Sequence, residues 1–180
     1  MPPTPSEAGV SKVVVRPARR NDAAILGAFF LRAWKEAGPS ALGFTGAADD
    51  AIKTISSEEF LTQRLSSPSI RIVLAELDRE VLGFASVRAT RKREGELSGV
   101  VVLESASRKG IGSKLVRKAC QTATKMGIDY LSVKTEVFNH RAINFYKDNE
   151  FTESGRVSEK VGRAKVPLMV LNRRLHPRPS

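Results

Sequence analysis

The sequence has little of what several large classes of proteins require. It contains one cysteine, so no intramolecular disulfide bond can form, and this fits a protein of the reducing cytoplasm. With that cysteine and only two histidines, it lacks the ligands of an ordinary zinc site, and we expect no metal. No apolar run approaches the roughly 18 residues that span a membrane, and no internal repeat is visible. These absences favour a cytoplasmic globular protein.

Acidic and aromatic residues are also scarce. Nineteen Asp and Glu stand against 30 Lys and Arg, which gives a net charge of +11 and favours anionic ligands. Aromatic residues make up only 6% and are not interleaved with the basic ones, so we expect no nucleic-acid partner. A chain of 180 residues has room for one domain with a proper core. We predict that domain at 11–175, with a disordered arm at 1–10 and a tail at 176–180.

Hydrophobic periodicity and turn residues predict the element order β-α-α-β-β-β-α-β-α-β-β. Strands are predicted over 12–16, 70–77, 81–89, 96–103, 131–137, 151–159 and 165–172. Helices are predicted over 23–34, 56–65 and 111–126 and after position 139, and 38–50 is predicted as a loop. Asn21 or Asp22 would cap the first helix, and Ser56 or Ser57 the second. The helix at 111–126 has the clearest pattern, because its apolar residues recur on one face.

The segment Ser107–Leu115 combines two glycines with several cations where a predicted strand meets a predicted helix. Backbone N–H groups at a helix start point outward, and the helix dipole adds partial positive charge. Gly110 and Gly112 would let the main chain approach a phosphate closely. Formal positive charge is added by Arg108, Lys109 and Lys114. The segment therefore predicts a site for a pyrophosphate-bearing ligand.

Two common phosphate-binding motifs do not fit this segment. Leu115 stands where a dinucleotide-binding loop needs its third glycine, and the Walker pattern Gly-x-x-x-x-Gly-Lys-Ser/Thr is absent. The helix is followed by the strand Leu131–Val137, and then by Asn139-His-Arg-Ala-Ile-Asn-Phe-Tyr-Lys-Asp-Asn-Glu-Phe151. This order, over residues 96 to 152, resembles the GNAT-type N-acetyltransferase superfamily. That family's acetyl-CoA motif is Arg/Gln-x-x-Gly-x-Gly/Ala, a helix, a strand and Asn-x-x-Ala-x-x-Phe-Tyr-x-x-x-Gly-Phe.

The chain departs from the family motif at two positions. Ser107 stands where the family usually has Arg or Gln, which removes one side-chain contact to phosphate. Glu150 replaces the Gly before Phe151 and suggests a different turn into the next strand. Neither departure removes the backbone amides that carry most of the phosphate recognition.

The resemblance implies an α/β (α+β) acyl-CoA N-acyltransferase fold. Its sheet would be mixed and mostly antiparallel, with about seven strands, about four flanking helices, and strands 4 and 5 splayed apart. Acetyl-CoA would be the co-substrate, with pantetheine lying in the gap like an added strand and one strand N–H polarising the thioester carbonyl. The residues implied in cofactor binding are Val100, Val101, Val102, Ser107, Arg108, Lys109, Gly110, Ile111, Gly112, Ser113, Asn139 and Tyr146.

Two residues are implied in catalysis, by direct attack of a primary amine in a ternary complex. Tyr146 would donate a proton to the departing CoA thiolate, since a phenol and a thiol have similar pKa values. Asn139, seven positions earlier on the same predicted helix face, would bind the pantetheine arm. Glu96, fourteen positions before Gly110, would be the general base, directly or through water. Taken singly, each residue also fits a structural role: Asn139 as a helix cap, Tyr146 as a core residue and Glu96 as an exposed charge at a strand end.

The acceptor is left open by the sequence. The resemblance implies a site built from the first two helices, residues 38–50 and the last hairpin, which carry no recognisable motif. Phe29, Phe30 and Trp34 would form a pocket wall or pack in the core, and Phe44 would contact the acceptor. A protein amine, an amino sugar, an antibiotic and a polyamine all fit, as do a monomer and a homodimer. A silent CoA-binding sensor and a basic nucleic-acid-associated protein are the alternative functions.

Overall fold

The computed structural model of the protein describes residues 12–38, 49–161 and 164–175. The strands are β1 Val14–Pro17, β2 Ile70–Leu77, β3 Glu80–Arg91, β4 Glu94–Val102, β5 Tyr130–Glu136, β6 Thr152–Val161 and β7 Ala164–Arg174. The helices are α1 Ala23–Ala37, α2 Asp49–Ile55, α3 Glu58–Ser66, α4 Ile111–Lys125 and α5 His140–Asp148. The predicted arm at 1–10, the tail, Phe44 and most of the predicted loop at 38–50 lie outside the described residues.

The seven strands form one sheet in the order β1-β2-β3-β4-β5-β7-β6. All neighbours are antiparallel except β4 and β5, which run parallel. This mixed, mostly antiparallel sheet confirms the predicted fold class. The described residues contain five α-helices rather than four, because α2 begins inside the segment that was predicted as a loop.

Helices cover the two faces of the sheet. Gly83 of β3 faces α4: a Cβ added to Gly83 would lie 3.0 Å from the Cδ1 atom of Leu115 in that helix. The next residue, Phe84, packs edge-to-face against Phe29 and Phe30 of α1. Successive strand residues point to opposite faces, so α4 lies on one face and α1 on the other. The predicted apolar stripe of α4 is confirmed, since its members from Ile111 to Ala123 are buried and Met126 at the helix end is half-buried against the core.

The two helix caps predicted for the first half of the chain have different outcomes. Ser57 caps α3 as predicted, because its hydroxyl accepts a hydrogen bond from the Phe60 N–H at 3.3 Å. Asp22 precedes α1 but makes no side-chain cap to it. Its buried carboxylate instead accepts two hydrogen bonds from Arg16, at 2.7 and 3.0 Å, and Arg16 also binds Glu76 of β2. Asp22 therefore ties the start of α1 to the sheet, and the predicted cap is wrong.

Strands β4 and β5 are paired only at their beginnings. Three residue pairs join them, the last being Glu96 with Ser132, while β4 continues to Val102 and β5 to Glu136. A β-bulge lies just beyond this point, where Ser98 has no partner across from β3. A bulge bends and twists its strand, which carries β4 away from β5. The predicted splay of the fourth and fifth strands is thus present as a gap in the middle of the sheet.

Candidate active site

The β4 wall of the gap presents backbone groups of alternate residues. The Leu103 N–H donates to the Leu82 carbonyl of β3 at 2.9 Å. In an antiparallel pair every second residue bonds to the same partner strand, so Val101 also faces β3. Its carbonyl oxygen lies 2.8 Å from a Cβ built on Gly83 of β3, which agrees with this direction. The polar backbone groups of Val100 and Val102 therefore face the gap, and the prediction for Val101 is corrected.

A concave loop follows β4 and leads into α4. Arg108 and Gly110 both have left-handed backbone conformations, with φ of 59° and 73°. The first hydrogen bond of the helix runs from the Lys114 N–H to the Gly110 carbonyl at 3.2 Å. The amides at 111–113 consequently have no intrahelical acceptor. Outward amides at a helix start, next to left-handed residues, form the kind of concavity that binds phosphate.

The cations of this loop are uncompensated. Arg108, Lys109 and Lys114 are all exposed. None of the three forms an ion pair with a carboxylate in the part of the chain that the structure describes. Their charges add to the partial positive charge of the helix start. The loop therefore has the electrostatics of an anion site.

The two glycines of the loop serve different purposes. A Cβ on Gly110 would meet nothing within 4 Å, so its left-handed φ of 73° is what favours glycine there. A Cβ on Gly112 would lie 3.1 Å from the Cε2 and Cζ atoms of Phe145. Gly112 thus lets the start of α4 pack closely on α5. The sequence had suggested phosphate approach for both glycines.

The hydroxyl groups predicted in this loop bond within the protein. Ser107 Oγ donates to the Glu104 carbonyl at 2.9 Å and closes the short 3-10 turn at 104–106. Ser113 Oγ accepts from Asn149 Nδ2, at the end of α5, at 3.3 Å. Both hydroxyls therefore shape the loop and connect it to its neighbours.

Glu150, the second departure from the motif, does not change the turn in the way expected. Its φ is 68°, in the left-handed region that glycine adopts most easily. Its carboxylate forms an ion pair with Arg173 of β7, and Arg173 Nη1 donates to the Asn149 carbonyl at 2.9 Å. The glycine-like turn is therefore kept, held by an arginine from the neighbouring strand, and the expectation of a different turn is wrong.

Asn139 and Tyr146 differ in their surroundings. Asn139 is the exposed N-cap of α5, and its Oδ1 accepts from the Ala142 N–H at 3.0 Å, which leaves Nδ2 to donate elsewhere. Tyr146 is only 8% exposed, and its ring meets Phe145 and Phe151 edge-to-face at 5.2 and 5.8 Å between centroids. This burial raises the pKa of the Tyr146 phenol to about 12.

The hydroxyl of Tyr146 is not completely buried. It makes no hydrogen bond to any described residue, yet every fully buried polar side-chain atom in the described part of the chain has a partner. The hydroxyl oxygen must therefore be accessible from outside while the ring is packed in the core. A protonated donor with an accessible oxygen is the arrangement that a general acid needs.

Glu96 lies where β4 and β5 part. Its Oε2 accepts a hydrogen bond from Arg88 Nη2 of β3 at 2.5 Å, and its side chain is 16% exposed. Arg88 is two positions from Ser86, so it lies on the same sheet face as Ser86 and Phe84, the face covered by α1. Glu96, paired with Arg88, shares this face. The carboxylate of Glu96, the predicted base, is thus positioned by Arg88 and lies beside the opening of the gap.

A cavity of about 190 Å³ lies on the same face, between α1, α3 and the sheet. Aromatic rings of Phe30, Phe60 and Phe84 form much of its wall, and it ends on Ser98 and Gly99, just past the parting of the strands. We call this cavity the acceptor-side pocket. Its polar side chains are Arg64, Ser86 and Ser98. Among the residues that line it, Phe30 and Val101 were predicted as site residues from the sequence. No local sequence pattern indicates the others.

Two absences can be stated for the described residues. No three His, Cys, Asp or Glu side chains are grouped there in a way that could hold a metal ion. No helix within the described ranges combines the length and apolar character needed to cross a membrane.

Comparison with known proteins assigns the chain to a family. The sequence profile of the Acetyltransferase (GNAT) family matches residues 34–151. The chain is 29% identical over 144 residues to the uncharacterized N-acetyltransferase YhfO of Bacillus subtilis (strain 168), covering 77% of this chain and 89% of YhfO. The chain therefore belongs to the GNAT acetyltransferase family and is an acetyltransferase enzyme.

Solved structures share the fold. A GNAT-family acetyltransferase from Streptococcus pneumoniae matches with a TM-score of 0.69 and 23% identity, over 92% of this chain and all of that one. The PaiA N-acetyltransferase of Thermoplasma acidophilum, solved in complex with coenzyme A, matches with a TM-score of 0.66 and 19% identity, over 91% and 99% of the two chains.

Proposed function

We propose that the protein transfers the acetyl group of acetyl-CoA to a primary amine by direct attack in a ternary complex. The observation that carries this proposal is the gap between β4 and β5, which leads to the cation-rich start of α4. An extended pantetheine arm can pair with the free edge of β4 as an added strand would. The pyrophosphate would then lie at the amides and cations of the loop, as helix starts favour anions.

The residues proposed to hold acetyl-CoA are those whose groups are free in the structure. Val100 and Val102 offer backbone N–H and C=O groups along the gap. The loop from Ser107 to Ser113 offers amides and two of the three cations. Asn139 offers its Nδ2 to the pantetheine arm.

The catalytic roles follow from the two sides of the gap. When bound, acetyl-CoA supplies a thioester whose C–S bond breaks as the amine nitrogen bonds to the acetyl carbon. An N–H facing the gap, from Val100 or Val102, would donate to the carbonyl oxygen. Glu96 would accept the proton that the amine loses, and Tyr146 would give its proton to the sulfur. One proton thus moves from nitrogen to sulfur in each turnover.

The remaining features of the proposal concern the whole chain. We propose one catalytic domain at 11–175 that works as a monomer or homodimer. We also propose a cytoplasmic location, where a free thiol such as the buried Cys120 stays reduced. The match to the family favours turnover over a silent CoA sensor.

The cofactor assignment can be tested at Gly110. Gly110→Val forces a branched side chain into a left-handed conformation and blocks the amides of the loop, so acetyl-CoA binding measured by calorimetry should be lost. Gly127→Val is the matched control, because Gly127 at the far end of α4 has a φ of 80° and equally open surroundings. Both variants should lose a similar amount of stability, about 1–2 kcal/mol. Unchanged affinity in Gly110→Val would refute the proposal. If affinity is lost as expected, an amine panel assayed by thiol release from acetyl-CoA with the wild type would identify the acceptor.

A further inference from the structure

We propose that the acceptor is a small amine that also carries a carboxylate, an apolar free amino acid, and that Arg64 binds this carboxylate in the acceptor-side pocket. This inference rests on the proposed function, because it identifies the class of acceptor for the same reaction. It goes beyond that function by assigning a specificity-determining residue on α3.

Arg64 differs from the other arginines of similar burial. Among the described residues, three arginines are neither fully exposed nor fully buried: Arg16, Arg64 and Arg173. Arg16 binds Asp22 and Glu76, and Arg173 binds Glu150. Arg64 has no carboxylate within ion-pair distance in the described part of the chain. A partly desolvated charge without a partner is unfavourable, and a ligand carboxylate would remove that penalty.

The surroundings of Arg64 hold it in place and leave its charge unbalanced. The guanidinium carbon lies 5.6 Å from the ring centroid of Phe60, a cation–π arrangement that restricts the side chain. Burial lowers the pKa of Arg64, and the positive charge of Arg88 lowers it further. Because Glu96 already neutralises Arg88, one positive charge remains at this side of the pocket. A carboxylate is the ligand that a guanidinium fork binds best, together with phosphate.

The rest of the pocket decides the size and character of the acceptor. Its volume of about 190 Å³ is below the roughly 300–1,000 Å³ of pockets for drug-sized ligands, so the described walls suit a molecule as small as an amino acid. Phe30, Phe60 and Phe84 surround the space with aromatic carbon, which favours an apolar side chain. The pocket ends at Ser98 and Gly99, beside the gap, where the amine must meet the thioester. The pocket thus offers Arg64 to the carboxylate of an amino acid, the aromatic rings to its side chain, and the end beside the gap to its amine.

The test compares amino acids with the amines that lack only the carboxylate. L-Leucine with isoamylamine and L-phenylalanine with phenethylamine are suitable pairs, assayed by thiol release from acetyl-CoA. For the wild type, kcat/KM should be higher for the amino acid of each pair. Arg64→Gln should lower kcat/KM for the amino acid by about 10- to 100-fold, the range for a hydrogen bond to a charged group, and leave the amine unaffected. Arg64→Lys, which keeps the charge but not the fork, should recover part of the loss.

The control is Arg174→Gln, which removes the same charge at an exposed arginine beside Tyr130, at the closed end of the sheet. In this control, the ratio of kcat/KM for the amino acid to kcat/KM for the matching amine should equal that of the wild type. Equal use of both members of each pair by the wild type, or an equal loss for both in Arg64→Gln, would overturn the inference. If no acceptor releases thiol, the proposed function fails separately. Calorimetry of amino-acid binding then decides the role of Arg64: binding that Arg64→Gln abolishes supports it, and no binding to the wild type refutes it.

Discussion

Replacing Tyr146 by Phe removes only the phenolic hydroxyl group and keeps the ring. The ring should keep its edge-to-face contacts with Phe145 and Phe151, and the hydroxyl has no partner among the described residues whose loss would destabilise the fold. We therefore expect the free energy of unfolding to change by less than about 1 kcal/mol. A large change in rate would then report chemistry and not folding.

The size of the effect follows from the burial of the ring. Because the pKa of Tyr146 is about 12 and that of an ordinary thiol is about 8.5, full proton transfer to a hydrated thiolate is uphill by about 3.5 pKa units, or about 5 kcal/mol. Only a thiolate held away from water in the gap would be basic enough to take the proton. We expect Tyr146→Phe to lower kcat by about 10²- to 10³-fold, the lower part of the range for general acids.

The same pKa predicts the alkaline behaviour of the wild type. At pH 9 only about one Tyr146 in a thousand is ionised. Activity should therefore show no alkaline loss from this residue below about pH 11. A fall in rate near pH 10 that disappears in Tyr146→Phe would contradict the effect of burial described above.

Single-turnover kinetics with saturating acetyl-CoA measure the chemical step directly, and calorimetry should give a wild-type affinity for acetyl-CoA. Tyr130→Phe is the matched control, since Tyr130 is the other tyrosine of the chain and half of it is exposed. Its rate should equal that of the wild type. A wild-type single-turnover rate in Tyr146→Phe would show that this tyrosine is only part of the core.

Two further predictions concern carboxylates. In Glu96→Gln, the rise of kcat/KM with pH should follow the ionisation of the acceptor amine itself, because the amine must then arrive neutral; a profile and rate equal to wild type would remove Glu96 from the mechanism. Arg16 lowers the pKa of Asp22 by hydrogen bonding, so this pair stabilises the fold above about pH 4 and the stabilisation is lost as the pH falls through the lowered pKa. Asp22→Asn should lower the free energy of unfolding at pH 7 by about 1.5–3 kcal/mol, the range for hydrogen bonds to charged groups, and flatten its decline below about pH 4 in urea titrations; an unchanged acid slope would contradict this.

The parts of the fold that could be predicted are those with local signals. The stripe of α4 repeats along one face, Ser57 precedes a run with two glutamates, and the turn at 78–80 separates two alternating strands, so each is visible in a short window. The helix α2 has only seven residues, too few for a periodic pattern. The bulge at Ser98 depends on pairing with β3, twelve positions away in sequence, and no local residue pattern specifies it.

The candidate site also has one part that a local sequence pattern predicts and one part that depends on the tertiary structure. The proposed phosphate loop is one continuous segment, so its glycines, its cations and the helix that follows could be predicted together from the sequence. The acceptor-side pocket is assembled from three helices, α1, α2 and α3, and three strands, β2, β3 and β4, and its parts meet only after the sheet has formed. Arg64 is one of 30 basic residues, and what distinguishes it is the absence of a carboxylate partner among the described residues, which a sequence cannot display.

The early parting of β4 and β5 places two unpaired strand edges in the middle of the sheet. The outer edges are protected in familiar ways: β1 has four residues and ends in Pro17, and β6 carries charges such as Arg156 and Glu159. The inner edge at Val100–Val102 has neither proline nor charge, and under the proposed function bound pantetheine would cover it. The cofactor-free enzyme is then the form most exposed to aggregation. On that proposal, acetyl-CoA would stabilise the folded enzyme as well as take part in its reaction.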